Sequence, residues 1–127
     1  MIDHVSLGVA DLDRAARFYE SVLGAIGFAK LEVRPATIGF GKRYPEFWLN
    51  LRRAMAAVPG DTGVHVCLRA PTTAAVDSFH RAALAAGGSD DGAPGVRKHR
   101  TGGYYAAFVR DLDGNRVEAV TFLKSGD

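Results

Sequence analysis

The chain has 127 residues, 47% of them hydrophobic and 24% charged, which sets one globular domain with a real core and excludes a disordered chain. A net charge of +2, with no basic stripe and no zinc-finger spacing, gives no ground for a nucleic-acid partner. The lone cysteine, Cys67, excludes an internal disulfide framework, and no apolar run approaches membrane-spanning length, so the expectation is a cytoplasmic protein without a membrane partner.

Residues 4–9 read as a strand, because Val5, Leu7 and Val9 alternate with His4, Ser6 and Gly8. Asp11 follows as a helix N-cap. Leu12, Ala15, Ala16, Phe18, Tyr19, Val22 and Leu23 then recur at helical spacing up to a stop at Gly24. Strands are expected at 29–34, 37–40 and 46–51, punctuated by Gly39, Gly41, Pro45 and Pro59.

The order then repeats. Residues 65–70 form a strand with His65, Cys67 and Arg69 on one face. Thr72 or Thr73 caps a helix carrying Val76, Phe79, Ala83 and Leu84, which ends at Gly87-Gly88. Residues 89–95 read as a loop and 96–99 as a short strand. Residues 104–110 and 116–122 read as a hairpin closed by Asp111-Leu112-Asp113-Gly114-Asn115. Each half is β-α-β-β-β, so the predicted class is α+β. The single domain 1–127 is built of two repeats, about 1–60 and 61–127.

The residues themselves support the repeat. Laid over 65–89 without a gap, residues 4–28 agree at His4/His65, Val5/Val66, Leu7/Leu68, Phe18/Phe79, Leu23/Leu84, Ala25/Ala86 and Gly27/Gly88. The apolar matches say that both halves have a core. The matched histidines say more. If the apolar face of each first strand packs on its own helix, His4 and His65 turn to the opposite face and converge between the halves. An imidazole pair on rigid strands is a seed for a metal site.

Glu118 supplies a third candidate ligand. It stands among apolar residues in Arg116-Val117-Glu118-Ala119-Val120, where a carboxylate is costly unless paired or metal-bound. Two imidazoles and one carboxylate suit Fe(II), Mn(II), Ni(II) or Zn(II) and leave positions open for substrate.

Substrate-binding candidates surround this set. Trp48 could stack on a substrate or serve as core. Arg69 lies on the histidine face. Arg97 belongs to the basic run Arg97-Lys98-His99-Arg100, which could hold an anion or be solvated surface. Tyr104 and Tyr105 point to opposite faces, so one of them can reach the site, and alternation leaves open which one.

The chain resembles the vicinal oxygen chelate superfamily, which includes glyoxalase I, bleomycin-resistance proteins, thiol transferases and extradiol dioxygenases. The resemblance spans essentially the whole chain. It rests on His4-Val-Ser-Leu-Gly-Val-Ala-Asp-Leu with Ala16-Arg-Phe-Tyr and Leu23-Gly, on Gly63-Val-His-Val, and on Asp111-Leu-Asp-Gly-Asn-Arg-Val-Glu118. It implies two tandem βαβββ modules in a cup-shaped mixed sheet, the glyoxalase-like fold. It also implies a divalent metal on His4, His65 and Glu118, and a homodimer whose partner can complete the cup. The implied function is a metal-dependent lyase, isomerase, thiol transferase or dioxygenase that chelates two oxygens of a small substrate. The alternative is a metal-free sequestering protein of the bleomycin-resistance type.

Glyoxalase I enzymes carry a fourth protein ligand on the last strand of the first half. The repeat puts Trp48 at that place, and a shift of two residues would substitute Glu46 or Asn50.

Overall fold

The computed structural model describes residues 1–99 and 102–123. Its elements are β1 (Val5–Val9), α1 (Leu12–Gly24), β2 (Ala29–Val33), β3 (Thr37–Gly41), β4 (Phe47–Leu51), β5 (Val66–Arg69), α2 (Thr73–Ala85), β6 (Ser89–His99), β7 (Gly102–Arg110) and β8 (Arg116–Phe122). They form two four-stranded sheets, ordered β1-β4-β3-β2 and β5-β8-β7-β6. In each sheet the first strand runs parallel to the last, and the other pairs are antiparallel. The helix supplies the long crossover that a parallel pair requires. Both halves are therefore βαβββ modules, as the repeat predicts.

The repeat holds down to the helix ends. α1 and α2 each have 13 residues and are capped C-terminally by Ala25 and Ala86. The N-caps are Asp11, whose carboxylate accepts from the Arg14 amide at 3.0 Å, and Thr72, whose hydroxyl accepts from the Ala75 amide at 3.1 Å. The first helix ends at Gly24, as expected. Gly24 closes the last turn, and the chain reverses at Gly27, whose φ of 94° only glycine adopts readily.

Two expectations in the second half fail. Leu84 is not part of the buried stripe; it is exposed, and the buried side chains of α2 are Val76, Phe79, His80 and Ala83. His80 is tolerated inside because its Nε2 lies 2.9 Å from an Asp90 carboxylate oxygen. Residues 89–95 are strand rather than loop. Gly92, Pro94 and Gly95 hide the strand pattern, but pairing with β7 continues across irregularities at Asp90/Gly92 and Gly92/Gly95.

One core spans both modules. Phe18, Tyr19, Val22 and Leu23 of α1 join Phe40, Phe47 and Leu49 of the first sheet, and Val76, Phe79 and Ala83 of α2 with Val109 and Val117 of the second. Burial of each large side chain contributes about 2–3 kcal/mol.

The turn between β7 and β8 fastens the modules together. Asp111 accepts from the Tyr19 hydroxyl at 2.6 Å, from the Asp113 and Asn115 amides at 2.9 and 2.8 Å, and from Asn115 Nδ2 at 2.9 Å. Asn115 Nδ2 also donates to the Gly8 carbonyl at 3.0 Å, and Asp113 accepts from the Ala10 amide at 3.0 Å. Burial raises the Asp111 carboxyl above the usual carboxylate range, and the hydrogen bonds from Tyr19 and Asn115 oppose that rise.

Candidate functional site

Strand alternation divides the second sheet into two faces. On β8, Val117 and Ala119 enter the core, so Glu118 and Phe122 turn away from α2. The register carries that outer face across the sheet. Cys67 and Phe108 lie opposite Glu118, and Tyr104 lies opposite both Phe122 and Arg97.

His65 sits just before β5 on this face. Its Nε2 is 2.9 Å from Glu118 Oε1, and its ring meets Phe108 edge-on at 5.8 Å. The Glu118 side chain is only 8% exposed against 45% for His65. A buried carboxylate beside a half-open imidazole is the most unusual polar arrangement of the sheet. Burial, and then the Glu118 charge, push the Cys67 thiol up to about 12, so it stays protonated at neutral pH.

His4 precedes β1 and is half exposed, with Nδ1 2.7 Å from Asp3. His4 and His65 line the same open cavity of about 510 Å3, together with Tyr44, Glu46 and Cys67. Among the described residues no three His, Cys, Asp or Glu groups stand in an arrangement that could hold a metal ion. The predicted set is thus brought together in part: His65 and Glu118 touch, His4 shares the cavity of His65, and the His4 imidazole is turned to Asp3.

The other candidates separate cleanly. In the first sheet Ser6 pairs with Trp48, as Cys67 pairs with Glu118 in the second. Trp48 therefore holds the place equivalent to Glu118. Asn50 falls opposite Gly8, and Glu46 precedes the strand and lines the cavity. The Arg34 guanidinium lies 5.0 Å over the Trp48 ring. Arg69 lies on the Glu118 face, its Cζ 4.8 Å from the Phe122 ring, and Arg97 lies there too, 5.8 Å from the Phe108 ring. Tyr104 shares that face. Tyr105 does not: its hydroxyl donates to Asp77 on α2 at 2.6 Å, which takes it out of the substrate-binding set. Arg100 and the side chain of His99 lie outside the described residues.

Trp48 depends on a neighbour without a side chain. A Cβ at Gly39 would come within 2.8 Å of Pro45 Cβ and 2.9 Å of Trp48 Cζ3. Gly39→Ala is expected to displace the indole and cost about 1–3 kcal/mol. Trp48 is the sole tryptophan, so its emission spectrum and a thermal melt report both effects. An unchanged spectrum and melt would show that the ring has room to move.

Sequence reading missed Phe108 and Phe122, the aromatic floor beneath the two arginines. The alternation Tyr104, Ala106, Phe108 and the two-residue steps from Glu118 to Phe122 carried that signal. It also missed the clasp at residues 111–115, because nothing local says what a turn touches 100 residues away.

Comparison with known proteins agrees with this architecture. The family model described as Glyoxalase/Bleomycin resistance protein/Dioxygenase superfamily matches residues 1–119. Virulence protein STM3117 of Salmonella typhimurium is 31% identical over 130 residues, covering 96% of this chain and 84% of that protein. The crystal structure of a glyoxalase/bleomycin resistance protein from Albidiferax ferrireducens T118 superimposes with a TM-score of 0.81 at 29% identity, covering 93% of this chain and 96% of that one. A glyoxalase-related enzyme from Fulvimarina pelagi shares the fold, with a TM-score of 0.72 at 21% identity over 94% of this chain and 86% of its own. No helix among the described residues is long and apolar enough to cross a membrane.

Proposed function

We propose, from the premise that this chain belongs to the Glyoxalase/Bleomycin resistance protein/Dioxygenase superfamily, that it is a divalent-metal-dependent enzyme binding a small substrate through two of its oxygens. The superfamily includes enzymes, and the observation that carries the reading is the His65–Glu118 pair. A carboxylate that is 8% exposed, set on a rigid strand and touching an imidazole at 2.9 Å, is the donor chemistry a divalent ion takes. The residues fit such an ion in kind: His65 and Glu118 would hold it, and His4 would have to turn from Asp3 to complete the set. An ion bound there, Fe, Mn, Ni or Zn, would polarise two substrate oxygens as a Lewis acid.

The chain's own residues do the rest. β5 and β8 fix His65 and Glu118 relative to each other through the strand pairing beside them. Phe108 braces the imidazole edge-on. The cavity lined by His4 and His65 gives a substrate access to both imidazoles.

The test is metal content. Untagged wild-type protein, reconstituted with each of the four ions, is expected to retain near-stoichiometric metal by elemental mass spectrometry. His65→Ala and His4→Ala are expected to lose most of it. Equal metal in wild type and both variants would overturn the ligand set. No metal in wild type after every reconstitution would favour the alternative, a metal-free protein that sequesters a small molecule.

A further inference from the structure

We infer that the substrate has an apolar body and a cationic head, a protonated amine or amidine, and that Glu46 reads the head. This rests on the reading above for which cavity takes the substrate, and adds the substrate's charge.

The chain has four glutamates, and three are engaged: Glu20 with Lys30, Glu32 with Arg34 and Glu118 with His65. The Glu46 carboxylate has no ion-pair or hydrogen-bond partner among the described residues. Glu46 is half-buried and lines the same cavity as His4 and His65. A carboxylate drawn partly out of water without a partner is held at a cost, and a bound cation offsets it through charge-assisted hydrogen bonds.

The backbone fixes where this carboxylate starts from. The Glu46 amide donates to the Phe40 carbonyl at 2.8 Å, and the Glu46 carbonyl accepts from the Val5 amide at 2.9 Å. The turn that delivers it is tight: a Cβ at Gly41 would run into the Tyr44 carbonyl. The root of the Glu46 side chain is therefore set before a ligand arrives.

The rest of the lining selects the sign of the ligand. Lysine and arginine outnumber the acids in the chain by 16 to 14, yet among the described residues none of them lines this cavity. Asp3, the other carboxylate there, is engaged by His4 at 2.7 Å. Away from a metal ion, an anionic group would meet Glu46 and no fixed cation. Ile2, Val5, Val66 and Leu68 give the cavity its apolar wall. Tyr44, half exposed, adds an aromatic ring, to which a cation is also drawn. Glu46 precedes β4, whereas the histidines precede β1 and β5, so one substrate can present oxygens to His65 and its cation to Glu46.

The test is calorimetric titration of benzamidine, benzylamine and the neutral benzamide into full-length wild type, Glu46→Gln and Glu46→Asp. Each protein is used with the metal it carries and again in chelator. Glutamine keeps the length and an oxygen and removes the charge. Wild type is expected to bind at least one of the two cations about tenfold more tightly than benzamide, and the tighter cation identifies the head. Glu46→Gln should lose most of that preference and Glu46→Asp part of it, with melting temperature and metal uptake unchanged. Equal binding of all three probes, no binding of either cation, or a preference that survives Glu46→Gln overturns the inference. A fall in metal uptake in Glu46→Gln also overturns it, by making Glu46 a metal ligand. Cation preference in a protein that takes up no metal would uphold the inference while refuting the metal-dependent reading. Metal uptake without cation preference would do the reverse.

Discussion

Glu118→Gln is expected to weaken divalent-metal binding by at least about a hundredfold while leaving the metal-free protein folded and no less stable. The magnitude follows from the donor: a carboxylate in direct contact with an ion contributes more than the outer partners whose loss already costs about 10–100-fold. The sign on stability follows from burial. Glu118 lies on β8 between Val117 and Ala119 and is 6% exposed, so its charge is expensive in the absence of a cation. Glutamine keeps the length, the volume and an oxygen for His65, and removes the charge. A purely structural Glu118 would behave in the opposite way, with stability falling and metal affinity unmoved. Competition against a chelating indicator gives the affinity, and a melt in chelator gives the stability. The holo protein should also melt higher than the apo protein in wild type alone, because binding to the native state stabilises it by mass action.

Asp111→Ala is expected to lower the melting temperature by about 10 °C, from a loss of about 3 kcal/mol. Asp111 is 6% exposed and accepts all four of the hydrogen bonds described above. Truncation leaves the buried Tyr19 hydroxyl and two turn amides without their acceptor, and such orphaned groups carry the full desolvation cost. Tyr19 is fully buried among Phe18, Phe40 and Phe47, so water cannot replace the carboxylate easily. Differential scanning calorimetry reads the effect. A shift below about 2 °C would mean that the turn relaxes and the clasp is not a structural bond. Tyr19→Phe separates the causes: it removes a single donor and leaves Asp111 its other three hydrogen bonds, so it should cost less than the alanine.

The two-module plan was legible because local signals and the repeat agreed. Capping at Asp11 and Thr72, helical periodicity, and seven matched residues all pointed one way. His65 and Glu118 were legible as candidates, one from the matched histidines and the other as a lone carboxylate among apolar residues, and the parallel pairing of β5 with β8 places Cys67, two residues from His65, beside Glu118.

What escaped was governed by contacts distant in sequence. β6 looks like a loop because its glycines and Pro94 carry no alternation; only its partner β7 makes it a strand. Leu84 matched Leu23 in the alignment yet is exposed, and the buried face of the second helix is Val76, Phe79, His80 and Ala83. Tyr104 and Tyr105 could be sorted only by the position of Asp77 on a neighbouring helix.

The clasp also has a consequence for the order in which the chain is made. The Gly8 carbonyl and the Ala10 amide, at the end of β1, find their partners in Asn115 and Asp113, 107 and 103 residues later. The first module therefore leaves the ribosome with one end unsealed. It is completed only when residues 113–115 have been synthesised. The two similar halves are therefore not two independent folding units: residues 8–10 wait for residues 113–115.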